Sequence, residues 1–115
     1  MIDLCSIRKI QSAIRQFEDT LKEETGLSLN DAMCLCEIER GIAEPGQLAI
    51  RLELSPSRLT RVLDGLDSRK LITRRISESD RRGIAVGLTK QGEKINEKYK
   101  CADIELPDAL AFTQD

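Results

Sequence analysis

Apolar residues recur every three or four positions along the first quarter of the chain. The alternating spacing of three and four residues gives a narrow apolar seam with a period of 3.5, which is typical of a helix that lies along another helix. The pattern predicts a helix over residues 3–24, packed within the chain or against a second copy, and Gly26 is expected to end it. The members of this seam are Ile7, Ile10, Ile14, Phe17 and Leu21.

Two shorter helices are predicted next. Ser28 opens a stretch that fits a capping box, with Asp31 at the third helical position. Gly41 is expected to end this second helix, whose helically spaced residues are Ala32, Leu35, Cys36 and Glu39. A third helix is predicted from about Glu44 to Leu52, because Pro45 suits a first helical turn.

The strongest helix signal lies between residues 55 and 66. Ser55 can cap the helix, and Pro56 has the fixed φ that the first helical position favours. One face is apolar and the other is polar and basic. The apolar residues are Leu59, Val62, Leu63 and Leu66, and the outer face carries Ser57, Arg58, Thr60, Arg61 and Asp64. Two short helices joined by a tight turn, the second with this outer face, predict a helix-turn-helix.

After Leu71 the apolar period changes from helical spacing to strict alternation. Residues 72–76 and 84–88 alternate with a period of two, which predicts two short strands joined by a hairpin tip over residues 77–83. A further helix is predicted from about Lys90 to Ala102. The expected fold is therefore mainly α with a small β-hairpin wing, an α+β winged helix-turn-helix in one domain that spans residues 1–115.

Charge is distributed unevenly along this fold. The whole chain has 18 basic and 20 acidic residues, yet residues 51–90 contain ten basic and five acidic residues, a net charge of +5. The rest of the chain carries −7. An acidic body with a basic segment indicates local contact with a polyanion, whereas the plainer interpretation is a chance cluster on a solvated face.

Composition excludes several other functions. The chain has no His, and its four cysteines (Cys5, Cys34, Cys36 and Cys101) do not have the spacing of a zinc site. We therefore expect reduced thiols, no metal and no cofactor. No nucleophile elbow or phosphate loop occurs, so we do not expect an enzyme. Three aromatic residues are too few for a single-strand stacking platform. No apolar run approaches the length of a membrane span, so we expect a cytoplasmic protein without membrane contact.

Several stretches together resemble the MarR family of bacterial winged-helix transcription regulators. They are LSLNDAMCLCEI and GQLAIRLELSPSRLTRVLDGLDSRKLITRRISESDRRGIAVGLTKQGEKI. The pattern Ser-x-Ser-x-x-Thr-Arg, the phrase LDSRKLITRR and the Asp-Arg-Arg wing followed by Leu-Thr-x-x-Gly are specific in combination. The resemblance implies a homodimeric repressor or activator of transcription that binds double-stranded DNA, and many members release DNA when a small molecule or an oxidant acts.

The resemblance also implies that the helix predicted over residues 55–66 is the recognition helix, and it implies roles for residues of this helix and of the wing. Arg82 is expected to enter a narrow minor groove, where the negative potential is enhanced, with Asp80 holding its guanidinium in place. Arg74, Arg75 and Arg81 are expected to contact phosphates or to form hairpin ion pairs. On the recognition helix, the hydroxyls near the N-terminus suit a phosphate, and the later residues suit base edges or backbone. These recognition-helix candidates are Ser55, Ser57, Arg58, Thr60 and Arg61.

The same resemblance assigns residues 27–89 to DNA binding and residues 1–26 and 90–115 to dimerisation. Only 27 residues follow the wing, fewer than family members usually have. Either the seam from Ile7 to Leu21 would then carry more of the dimer interface, or the dimer would be weak. A small-molecule effector of unknown identity is a further expectation, with a pocket between the dimer helices and the winged helix.

Two alternatives stay open. The winged helix could instead serve as a protein-interaction module, with its arginines meeting acidic surfaces of a partner. The chain could also be a redox-sensing regulator in which Cys5 is resolved by Cys101, because some relatives sense oxidants through a cysteine near the N-terminus.

Overall fold

A computed structural model describes residues 3–76 and 83–100, which fall into two compact units. The described part of the first unit is residues 3–28, and that of the second is residues 29–76 and 83–100. In the described residues, no helix is both long enough and apolar enough to cross a membrane.

The first unit is built on one long helix, α1 (Leu4–Thr25). The Asp3 carboxylate caps its N-terminus by accepting a hydrogen bond of 2.8 Å from the backbone N–H of Ser6. This bond lowers the pKa of Asp3, because it stabilises the charged form. Gly26 ends the helix in the left-handed conformation with φ of 76°, and its N–H donates to the Lys22 carbonyl. The predicted helix is thereby confirmed to within one residue at each end.

The second unit contains four helices and a hairpin in its described residues. The elements are α2 (Leu29–Glu39), α3 (Pro45–Leu52), α4 (Pro56–Ser68), β1 (Ile72–Ile76), β2 (Ile84–Leu88) and α5 (Lys90–Lys100). The strands pair antiparallel, with Ile72 opposite Leu88 and Ile76 opposite Ile84. The prediction of a mainly helical winged helix-turn-helix is confirmed. The predicted end of the last helix at Ala102 lies outside the described residues.

The core of this unit is aliphatic, as the scarcity of aromatic residues requires. Helix α2 packs against α3, α4, α5 and β2. The buried apolar side chains are Cys34, Leu35, Ile38, Leu48, Ala49, Leu59, Leu63, Leu66, Leu71, Ile72 and Val86. On α2 the predicted stripe was wrong in part, since Cys34 and Ile38 are buried while Cys36 is only half-buried. The spacing of apolar residues within one helix does not show how many other elements pack around that helix.

Backbone and side-chain hydrogen bonds tie the wing to the helices on either side. The N–H of Val86 donates to the Ala43 carbonyl at 2.8 Å, so the α2–α3 connection adds to the edge of β2. Thr89 donates through its hydroxyl to the Lys70 carbonyl at 2.7 Å and accepts from the N–H of Gly92 at 3.1 Å. These bonds join the start of α5 to the α4–β1 connection, which fixes the base of the wing.

Candidate nucleic-acid interface

Helix α4 positions the polar and basic residues that the sequence predicts for DNA contact. Its apolar stripe is buried, with Leu59 at 2% exposure and Leu66 at 1%. The opposite face is exposed, and all five recognition-helix candidates for DNA contact are exposed, namely the cap Ser55 together with Ser57, Arg58, Thr60 and Arg61. Asp64, predicted for the outer face but not for DNA contact, is exposed as well. A helix that is anchored by one face and exposes a basic one has the geometry required to enter a major groove.

The hydroxyls near the start of α4 are partly engaged by the helix itself. Ser55 caps the helix by accepting a hydrogen bond of 3.2 Å from the N–H of Arg58, and its Oγ lies 3.4 Å from that of Ser57. The hydroxyl of Thr60 donates to the Pro56 carbonyl at 2.9 Å. In this rotamer Thr60 can only accept a further bond, so a base edge would have to present a donor.

The two arginines of β1 meet different surroundings. Arg74 reaches α4, where its Nη2 donates to Oδ1 of Asp64 at 2.7 Å. The sequence pattern predicts either phosphate contacts or hairpin ion pairs for Arg74, whereas the observed pair joins β1 to the recognition helix. Sequence reasoning placed Asp64 on the outer face and missed this ion pair, although a carboxylate on a basic helix face is a usable signal.

Arg75 lines a groove of about 560 Å³ beside the wing. The groove lies between the end of α2, the hairpin and α5, and three carboxylates line it with Arg75. They belong to Glu39, Glu93 and Glu97. Glu39 also accepts a hydrogen bond from the side-chain amide of Asn96, which is 5% exposed. With three acids and one base, this groove does not suit a polyanion.

The tip of the wing holds the other predicted DNA contacts. Asp80, Arg81 and Arg82 lie outside the described residues, so their roles stay predictions. The predicted alternative for Arg75, either a phosphate contact or a hairpin ion pair, also stays open.

The seam of α1 is only partly covered in the single chain. Ile7 is 42% exposed and Ile14 is 40% exposed, whereas Ile10 and Phe17 are half-buried. Leu21, the last member of the seam, is fully buried. An apolar surface therefore remains on the first part of α1.

The described cysteines are free thiols in three settings, with Cys5 exposed, Cys36 half-buried and Cys34 buried. Burial raises the pKa of the Cys34 thiol to about 12, and the nearby carboxylates of Asp31 and Glu37 add to this. Cys34 thus stays a neutral thiol at physiological pH and cannot act as a thiolate nucleophile. Cys101 lies outside the described residues, so the predicted pairing with Cys5 stays a prediction. No group of three potential metal ligands occurs in the described part of the chain.

Comparison with known proteins supports the same interpretation. The model of the MarR family matches residues 27–84. Two curated relatives from Bacillus subtilis (strain 168) are uncharacterized HTH-type transcriptional regulators. YpoP is 35% identical over 95 residues, which are 81% of this chain and 66% of the relative. YhbI is 29% identical over 92 residues, which are 79% of this chain and 60% of the relative. The chain thus spans about 60 to 66% of the length of these relatives.

A solved structure gives the same fold. The crystal structure of a cysteine-to-serine mutant of MarR from E. coli complexed with operator DNA has a TM-score of 0.69 and 30% sequence identity. The match covers 76% of this chain and 62% of that one. The similarity therefore extends to a protein of this fold whose structure contains operator DNA.

Proposed function

The chain belongs to the MarR family of winged-helix transcription regulators, and from this premise we propose that it binds duplex DNA sequence-specifically as a homodimer. Family membership confirms the prediction of a regulator and not an enzyme. The observation that carries the proposal is helix α4, whose apolar stripe is buried while its serine, threonine and arginine side chains face outward. We assign base and backbone contacts to this exposed face, and minor-groove contact to Arg82.

The proposed dimer contact is the exposed part of the α1 seam. Ile7 and Ile14 present apolar surface that a second copy of α1 would remove from water. A twofold dimer places two recognition helices about one helical turn of DNA apart, so its operator should be a pseudo-palindrome. Because Leu21 is already buried in the single chain, it adds no exposed surface to this contact.

The test is selection of binding sites from random duplex DNA by the purified protein, with Arg82→Ala in parallel. We expect an enriched palindrome that the variant binds weakly, while its fold and dimer persist. Arg40→Ala is a matched control, because Arg40 is an exposed arginine outside the proposed interface, with a side-chain exposure of 67%. The control should bind like the unmodified protein.

Two results would contradict parts of this proposal. A selected site that Arg82→Ala binds normally would show that the wing tip contributes no contact energy. Failure to enrich any site, with weak binding that is equal in all three proteins, would favour the protein-interaction alternative. A complementary salt series should show a steep loss of DNA affinity, because bound phosphates release counterions.

A further inference from the structure

The ion pair between Asp64 and Arg74 connects the two elements proposed to contact DNA. Asp64 lies on α4 and Arg74 on β1, and their charged atoms are 2.7 Å apart. The pair is accessible to solvent, since 60% of the Asp64 side chain and 32% of the Arg74 side chain are exposed. The two charged groups therefore lie on the surface of the second unit, which contains the winged helix, and not in its core.

Fold stability is a weak explanation for such a pair. Exposed ion pairs contribute little to the free energy of unfolding, because water and salt screen the attraction and two side chains lose freedom. The aliphatic core already joins α4 to β1, with Leu63, Leu66 and Ile72 buried. We therefore expect the ion pair to affect DNA binding more than the stability of the fold.

The position of Asp64 creates an electrostatic problem for a DNA-binding helix. Asp64 follows Thr60 by four residues, so both lie on the exposed face of α4. An unpaired carboxylate there would repel phosphates as the helix approaches DNA. The guanidinium of Arg74 neutralises this charge, and its own charge is neutralised in return. The two side chains thus present no net charge between the helix and the wing.

We propose that the Asp64–Arg74 pair is a positioning device that fixes the wing against the recognition helix and keeps Arg74 from binding phosphates. This arrangement contributes to the protein's preference for its selected DNA site over other DNA sequences. A wing held in place before DNA arrives loses less freedom on binding. A guanidinium committed to Asp64 does not add sequence-independent attraction. The proposal rests on the DNA-binding function proposed above, and it makes Arg74 a positioning residue.

The experiment compares Asp64→Asn, Arg74→Gln and the double variant on two duplexes, the selected site and a scrambled site, over a series of salt concentrations. Asp64→Asn frees Arg74, so affinity for the scrambled duplex should rise roughly threefold to tenfold, and the salt slope should steepen by about 1. The ratio of specific to non-specific affinity should fall. Asp64→Glu, which retains the carboxylate, should keep a slope close to that of the unmodified protein.

The other two variants separate positioning from direct contact. If Arg74 does not touch phosphates, Arg74→Gln should leave the salt slope unchanged but weaken specific binding, because Asp64 is then unpaired. The double variant should bind the scrambled duplex like the unmodified protein and still discriminate less well. A salt slope that falls by about 1 in both Arg74→Gln and the double variant would identify a phosphate contact and overturn the proposal.

A matched control is available elsewhere on the same unit. Glu37 and Arg51 form an ion pair of 2.6 Å between α2 and α3, and Arg40 lies 4.0 Å from the same carboxylate. Glu37→Gln therefore also removes one negative charge and frees a paired arginine, Arg51, together with the longer contact of Arg40. It should leave the ratio of specific to non-specific affinity unchanged. An equal loss of discrimination in Glu37→Gln and Asp64→Asn would mean that net charge alone is responsible, which overturns the proposal.

The same experiment separates failure of this inference from failure of the proposed function. If the unmodified protein binds no duplex, the proposed function fails as well. If it discriminates and all variants discriminate equally, only this inference fails.

Discussion

Helices α1 and α4 are both amphipathic, yet their apolar sides differ in the single chain. The stripe of α4 is buried, with Leu59, Leu63 and Leu66 at 4% exposure or less. On α1, Leu21 is buried but Ile7 and Ile14 remain 40% or more exposed. An amphipathic pattern therefore indicates only that a face must be covered, and not what covers it. In α4 the polar side carries the proposed DNA contact, whereas in α1 the apolar side carries the proposed dimer contact.

The largest expected effect on stability comes from a substitution in the buried stripe of α4. Leu63→Ala removes a side chain that is 4% exposed and leaves a cavity beneath the recognition helix. We expect the free energy of unfolding to fall by about 2–5 kcal/mol, measured by chemical denaturation. Ile50→Ala is the control, because Ile50 lies on α3 at 78% exposure and should change stability by less than about 0.5 kcal/mol. Equal losses in the two variants would contradict the packing described for α4.

A charge on the exposed side of α1 should break the proposed dimer. In Ile14→Glu, an unpaired carboxylate would lie in an apolar interface, and the dimer dissociation constant should rise by at least roughly a hundredfold. Analytical ultracentrifugation measures this change, and circular dichroism checks that the helices persist. Ile50→Glu places the same charge on an exposed apolar residue of α3 and should leave the dimer intact. Sedimentation of Ile14→Glu as a dimer of undiminished affinity would place the contact elsewhere.

Gly92 provides a test of how the base of the wing is held. A Cβ at this position would collide with the carbonyl oxygen of Leu71, at the point where α5 meets the α4–β1 connection. Backbone must shift to accept it, so Gly92→Ala should destabilise the fold by about 1–3 kcal/mol. Thermal unfolding measures the loss. A variant as stable as the unmodified protein would show that α5 can move away from Leu71 without cost.

Gly65 should respond to the same substitution in the opposite direction. It lies within α4, and a Cβ there would meet nothing within 4 Å. Gly65→Ala should therefore stabilise the fold by about 1 kcal/mol, since alanine loses less backbone freedom in a helix. Thermal unfolding and DNA affinity should be measured together. If stability rises while affinity falls, DNA approaches this part of α4 too closely for a methyl group.

Local signals allowed the elements of the winged unit to be predicted closely. Ser55 followed by Pro56 marks the start of α4, and the structure confirms Ser55 as the cap and Pro56 as the first helical residue. Alternation after Leu71 predicted both strands with their observed bounds. The pattern on α2 was less informative, because that helix is in contact with several elements and buries Cys34 and Ile38 in addition to the predicted Leu35.

Along the interface, the sequence determined which side chains face outward on α4, since helical spacing fixes the face once the buried stripe is known. It did not determine the partner of Arg74, because the pair with Asp64 spans ten positions and depends on how β1 crosses the recognition helix. The same holds for the bond from Asn96 to Glu39 and for the narrow fit of Gly92 against Leu71. Caps, turns and periods act between neighbours in the chain, so sequence reveals them. Contacts between distant segments exist only after the elements have packed, and tertiary structure alone decides them.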